Sequence, residues 1–192
     1  RQTDLARLQQ LIPSYFVDRI VLEIACGTGY WTQFIAPVAR TVTAIDINPE
    51  TLAIARSRAF PPNRVKFDVA DVHCLPPHYK RFTGAFAGFW WSHIRRADRQ
   101  PFLKVLHRAL MPGAIVVAVD NRYVEGSSTP ISVIDADGNS FQRRRLADGS
   151  EHVVLKNFPT EPELMAEIHG DGTAAEYTPL EYYWVLKYEV AA

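Results

Sequence analysis

The chain has 192 residues, which suits one domain with a real core. Its 21 basic and 21 acidic residues cancel, so no general basic field draws it to nucleic acid or to an anionic membrane. Two cysteines, Cys26 and Cys74, argue against a disulfide framework or a cysteine-built metal site. No apolar run is long enough to span a bilayer and no stretch reads as a signal peptide. The expectation is a cytoplasmic enzyme, monomer or homodimer, with no nucleic-acid or membrane partner. The chain opens on Arg1 without methionine, as a trimmed chain would.

Residues 3–12 carry Leu5, Leu8, Leu11 and Ile12 on one helical face, and Pro13 stops that helix. The β-branched run at 20–25 predicts a buried strand. A short helix is expected over 31–39, then a strand over 41–46 that ends on Asp46. Asn48 caps the next helix, with Pro49 at its first position, and that helix runs to about Arg58. Strands are expected at 64–68 and 82–89. A helix capped by Asp98 follows through Leu110, with His107 on its exposed face, and then a strand at 114–120. Alternating strands and helices predict an α/β fold, a Rossmann-like doubly wound sheet of about seven strands, mostly parallel. The tail departs from this alternation. A helix over 162–168 is followed by two strand-like runs, 175–177 and 182–190, with no helix between them.

One segment is extra. The strand-like runs 141–146 and 151–155 flank Ala147-Asp148-Gly149-Ser150, and Asp-Gly between two such runs marks a hairpin. The whole chain is read as a single domain, 1–192, with residues 121–158 as an insertion on the substrate side. Loops leaving the C-terminal strand ends form the ligand crevice of such sheets, so the insertion either walls a substrate or ornaments the surface.

The densest chemical signal is Val21-Leu22-Glu23-Ile24-Ala25-Cys26-Gly27-Thr28-Gly29-Tyr30. It reads as an apolar strand, a carboxylate, a glycine turn and a helix start. A dinucleotide site faces a pyrophosphate with its glycine turn and helix N-terminus. Glu23 would repel that anion and would suit a ligand with a cationic amino-acid end, as S-adenosylmethionine has. Asp46 ends the second strand, where a carboxylate can accept hydrogen bonds from both ribose hydroxyls.

Glu-Ile-Ala-Cys-Gly-Thr-Gly resembles the first motif of class I SAM-dependent methyltransferases, Asp/Glu-x-Gly-x-Gly-x-Gly. Ala25 stands where that family usually has its first glycine. The resemblance implies S-adenosylmethionine as cofactor, S-adenosylhomocysteine as product and an antiparallel last strand. It implies that Glu23, Ala25, Gly27 and Gly29 form the cofactor turn and that Asp46 holds the ribose. Ile47 then lies along the adenine, and Asp71 and the Val72 backbone read its edge.

The acceptor side is read from the strand ends. Phe89, Trp90 and Trp91 follow the fourth strand, where aromatic faces can stabilise a sulfonium. One tryptophan is expected in the core and one toward the cofactor; Phe89 and Trp90 are assigned to the cofactor and Trp91 to the substrate. His93 is the candidate general base, because imidazole titrates near neutral pH, with Asp120 as the second catalytic candidate. Asn121, Tyr123 and His152 are expected to line the acceptor site, and Asn157 could face inward. Tyr15 could close over the sulfonium end. No residue spacing reads as a metal site. The expected function is methyl transfer to an oxygen or nitrogen of a small, aromatic or heterocyclic acceptor. The alternative is a non-catalytic SAM-binding or partner module on the same fold.

Overall fold

In the computed structural model, residues 1–192 are described except 77, 78, 80 and 147. A seven-stranded sheet is built from β1 (Ile20–Ile24), β2 (Thr41–Asp46), β3 (Val65–Val69), β4 (Phe82–Gly88), β5 (Leu110–Asn121), β9 (Gly172–Pro179) and β10 (Tyr183–Val190). Its order is β3-β2-β1-β4-β5-β10-β9. The first five strands run parallel, and β10 pairs antiparallel to both β5 and β9. The expected closing antiparallel pair is present, with β9 longer than the run 175–177 and β10 starting one residue after 182.

Each strand alternates its side chains between two apolar layers. In β5, Val116 and Ala118 face one layer, while Ile115, Val117 and Val119 face the other. Helices α4 (Arg99–Ala109) and α5 (Glu161–Ile168) cover the first layer through Phe102, Leu103, Leu106, Leu164 and Ile168. Helices α1 (Gln2–Ser14), α2 (Thr32–Ile35) and α3 (Pro49–Arg56) cover the second through Leu8, Ile12, Ile35 and Leu52.

Local chemistry explains most boundaries. Asn48 Oδ1 accepts the Glu50 amide at 2.8 Å, and Pro49 opens α3 as expected. Pro13 lies within the last turn of α1 rather than ending it one residue earlier. Helix α2 is shorter than expected. His107 is not on an exposed face: its ring meets the Tyr188 hydroxyl at 2.8 Å, and burial lowers its pKa.

The insertion is a separate antiparallel sheet, ordered β6 (Ile131–Ile134), β7 (Ser140–Arg145) and β8 (Glu151–Leu155). The expected hairpin is the β7–β8 pair, with Arg145 opposite Glu151. Ala147 of its turn lies outside the described residues. Strand β6 is an addition that the sequence reading did not find.

Candidate active site

The C-terminal ends of β1, β2, β4 and β5 form one rim. At β1 the chain turns through Ala25 at φ 50°, Gly27 at φ 54° and Gly29 at φ 74°. A side chain at Gly27 would meet no atom within 4 Å, so the turn has an open face. At Gly29 a Cβ would come within 3.2 Å of Ala55 Cβ, so glycine there serves packing against α3. The left-handed backbone of Ala25 gives the family's usual glycine a conformational reason, and alanine in that geometry costs roughly 1–2 kcal/mol. Arg58 Nε donates to the Thr28 carbonyl at 2.7 Å and fastens the turn from outside.

Asp46 faces this turn. Its carboxylate accepts the Gly27 amide at 2.8 Å on one oxygen and the Asn48 amide at 2.9 Å on the other. A carboxylate has about four acceptor sites, so lone pairs remain for two hydroxyls. Ile47 is exposed beside it. Asp71 Oδ1 accepts the His73 amide at 2.8 Å, and Val72 is buried beneath that turn. The open turn and these carboxylates fit S-adenosylmethionine.

Glu23 needs a correction. It points under α2, 1% exposed, and its carboxyl oxygen receives the Thr32 hydroxyl at 2.6 Å. Burial pushes its pKa up to about 8, against the opposing hydrogen bonds from Thr32. A largely protonated acid at neutral pH does not repel a pyrophosphate by charge. Glu23 instead anchors the start of α2 beneath the turn.

The aromatic run after β4 splits three ways. Phe89 adopts φ 58°, and its ring packs toward Trp31 and Tyr183. Trp90 sits against His73, beside the Asp71 turn, with its indole N–H buried and unpartnered. Trp91 is fully buried, edge-on to Phe102 and Trp184, and donates to Glu167 at 3.0 Å. Trp91 therefore belongs to the core and not to an acceptor site.

Around Asp120 a buried polar network ties the insertion to the rim. One Asp120 oxygen accepts the Ser92 amide at 2.8 Å. The other accepts the Ser92 hydroxyl at 3.0 Å and the Asn121 side chain at 2.9 Å, and meets the Lys156 ammonium at 3.3 Å. Lys156 also donates to Ser92 Oγ at 2.6 Å. Asn157 donates to the Ile94 carbonyl at 3.0 Å and accepts the Ser140 amide at 2.9 Å. With both oxygens committed and no exposure, Asp120 is a positioning residue rather than a proton acceptor. Ser92 and Lys156 escaped the sequence reading. Their only signal was a lone serine and a lone lysine in otherwise apolar or aromatic runs.

His93 is half-buried beside this network. Burial lowers its pKa first and Lys156 second, while Asp120 and the Leu155 backbone oppose them, so the ring is neutral at pH 7. A cavity of about 230 Å³ opens at Lys156 and Arg144, whose charges reach His93, and is lined by Arg1, Asn121, Gln142, Arg144, Lys156 and Phe158 among others, but not by His93 itself. Tyr123 lies beyond Phe158, the two rings 5.3 Å apart. His152 is exposed and bonded to Ser150 near the hairpin turn, and does not line the cavity.

Tyr15 is also misplaced by the sequence reading. It ends α1 in the field of Glu176 and Lys187, and Lys187 pairs with Val117 in mid-sheet. The opposite end of α1 reaches the rim. Asp4 accepts the Tyr182 amide at 2.8 Å, and Gln9 meets the Tyr30 hydroxyl at 2.8 Å. Thirteen helical residues span about 20 Å, so sequence proximity to β1 put the wrong end over the site.

The doubly wound sheet, its antiparallel close and the open glycine turn facing Asp46 define a class I SAM-dependent methyltransferase. Residues 21–113 match the family model described as a methyltransferase domain. The chain is 25% identical over 189 residues to a malonyl-[acyl-carrier protein] O-methyltransferase of Pectobacterium atrosepticum, covering 90% of this chain and 71% of that protein. A Mycolicibacterium smegmatis protein described as a probable S-adenosylmethionine-dependent methyltransferase is 30% identical over 161 residues, covering 81% of this chain and 58% of that one. The solved DhpI-SAM-HEP complex shares the fold at a TM-score of 0.78 and 24% identity, over 97% of this chain and 86% of that one.

Proposed function

We propose that the chain methylates an oxygen or nitrogen of a small acceptor held between the turn after β4 and the inserted sheet. The observation that carries this is the cavity at the end of β5, walled by Gln142, Arg144 and Lys156 of the insertion and joined to the rim by the Asp120 network. Pockets that orient small molecules have this make-up, with a few placed polar groups against an aromatic side chain. The O-methyltransferase relative supports oxygen as acceptor atom.

S-adenosylmethionine supplies, when bound, a methyl group on a sulfonium sulfur. The chain's own part is to hold both partners and to exclude water. Asp46 would hold the ribose hydroxyls; Asp71, the Val72 amide and Ile47 would hold the adenine. Phe89 would border the sulfonium end, and Trp90, against His73 beside the Asp71 turn, would border the adenine. His93, neutral at pH 7, takes a proton from an acceptor that ionises only during transfer. Asn121 and Arg144 orient the acceptor.

The test is to incubate the purified chain with methyl-labelled S-adenosylmethionine and a panel of small acids, phenols and heterocyclic amines. Mass spectrometry then reads S-adenosylhomocysteine and labelled product. Label transfer to any acceptor supports the reading. Calorimetric cofactor binding with no transfer across the panel turns it into a non-catalytic binding module. No cofactor binding overturns it.

A further inference from the structure

The cavity at the end of β5 carries unbalanced charge. Arg1, Arg144 and Lys156 line it, and Asp120 is the carboxylate paired with them among the described residues. That pairing is spent on Lys156, which is buried. The hydrogen bond of Arg144 goes to the neutral Gln142 side chain at 3.4 Å. Those of Arg1 go to the Ser127 carbonyl and hydroxyl at 3.3 and 3.4 Å. The adjacent Arg143, by contrast, turns outward and pairs with Glu151 at 3.2 Å. Two guanidinium groups thus flank the cavity without a carboxylate partner among the described residues.

The positive field is felt by the neighbours. Burial lowers the Lys156 pKa, Asp120 opposes it, and Arg144 and Arg1 push it further down. Burial and Lys156 lower that of His93, with Arg144 adding in the same direction. A cationic acceptor would meet repulsion here. A neutral one would leave the guanidinium groups without an anion. Guanidinium forks match the planar or tetrahedral oxygens of compact oxyanions, and such charge-assisted bonds are the strong ones. At about 230 Å³ the cavity is below the size that encloses a whole ligand, so it fits a head group, with Phe158 against the apolar body.

We propose that the acceptor carries a compact oxyanion, a carboxylate or a phosphonate, received by Arg144 and Arg1. This rests on the methyl-transfer reading of the same site and narrows its substrate class. Lys156 remains paired with Asp120 and supplies field, while the two arginines supply contact.

Binding of benzoate, phenylphosphonate and neutral benzamide is measured by ligand-observed NMR on wild type, Arg144→Gln and Arg144→Glu. Arg144 is exposed, so neither substitution opens the core, and circular dichroism checks the fold. At least one acid is expected to bind tenfold or more tightly than benzamide. Arg144→Gln should weaken that acid about tenfold to a hundredfold, and Arg144→Glu should weaken it further. Benzamide and S-adenosylmethionine affinities should stay within twofold. Which acid binds separates carboxylate from phosphonate. Failure of both acids to outbind benzamide, or acid binding unchanged in Arg144→Gln, overturns the proposal. Because no turnover is needed, these results stand apart from the methyl-transfer reading. Loss of cofactor binding in wild type would sink that reading and leave the anion result legible. Transfer to an anionic acceptor at wild-type rate in Arg144→Glu would sink the anion proposal alone.

Discussion

The glycine-turn side of the rim and the insertion side are fastened by different means. Around the turn, partners are near in sequence. Asp71 and Asp46 each accept an amide two residues on, Glu23 meets Thr32 nine residues on, and Gly27 reaches Asp46 across one strand pair. Around the insertion, Ser92 meets Asp120 28 residues away, Lys156 meets Ser92 over 64, and Asn157 meets Ile94 over 63. The cofactor side is therefore preorganised by short backbone motifs. The insertion side, where the acceptor is proposed to sit, exists only once the insertion has docked. Damage to the first should cost binding; damage to the second should cost the fold of the wall and hence turnover.

The largest effect is expected from Asp120→Ala. It leaves a buried ammonium unpaired, a change that typically costs about 3–5 kcal/mol. Urea unfolding should show that loss, turnover should vanish, and cofactor affinity of the folded fraction should stay within threefold. If cofactor affinity falls as far as turnover, the two sides are not separable. Next is His93→Ala, with a rate loss of about 10²–10⁴ if the imidazole takes the proton. The base works when neutral, and burial and Lys156 lower its pKa below 6.5. In wild type kcat/KM should rise with pH below 6.5 and then level; the variant should lose that limb. A mutant with the wild-type pH profile removes His93 from the chemistry.

Smaller effects on turnover belong to the glycine-turn side. Asp46→Ala removes the proposed charge-assisted bonds to ribose, of roughly 1.5–3 kcal/mol, so calorimetry should read at least about a tenfold weaker cofactor. Its stability cost should be only about 1 kcal/mol, since the freed amides of Gly27 and Asn48 are near solvent. Glu23→Gln tests burial. The folded pKa, about 8, lies above the ordinary 4.5, so the folded state keeps a proton that the unfolded chain releases. Wild-type stability should fall as pH rises from 4.5 to 8, by at most about 1.4 kcal/mol per pH unit, and flatten above 8. Glu23→Gln should lose that slope. A wild-type curve flat through that window would mean that Glu23 ionises freely in the fold.

The same contrast sets what was legible in the sequence. Strand β2 ends on Asp46 as read, and the Asn48 cap and the Asp-Gly hairpin are where their local chemistry puts them. Such signals depend on neighbours within a few residues. Lys156 follows Val-Val-Leu with no periodic sign of a buried ion pair, and its partner is fixed only by docking across the sheet. Trp90 and Trp91 are adjacent, yet one faces His73 and the other enters the core, because the 3-10 turn at Trp91–His93 rotates them apart. Strand β6 is only four residues, Ile131–Ile134, too short to stand out as a strand before β7 pairs with it. Tyr15 failed because the direction of α1 against the sheet is a tertiary fact.

The smallest prediction asks whether locality, and not position in the molecule, is what matters. Thr160 lies at the exit of the insertion, in the long-range half, yet its own interactions are local. Its hydroxyl caps α5, and the Glu163 carboxylate returns to the Thr160 amide at 2.7 Å, a complete capping box. Glu163 also meets Arg96 at 2.7 Å, so the cap joins α5 to the turn after β4. Burial alone would raise the Glu163 pKa. The Thr160 amide and Arg96 outweigh it and hold it down to about 2. That stabilisation is present above pH 4.5 and fades as pH falls toward 2. Thr160→Ala should cost about 1 kcal/mol at pH 7, the ordinary worth of an N-cap. Cofactor affinity and acceptor turnover should both remain within twofold, because Glu163 can keep Arg96 without the hydroxyl. Urea unfolding at pH 7, beside calorimetry and turnover, decides it. A several-fold loss of turnover would mean that the cap helps to set the acceptor wall, and the division into local and long-range halves would have to be redrawn at α5.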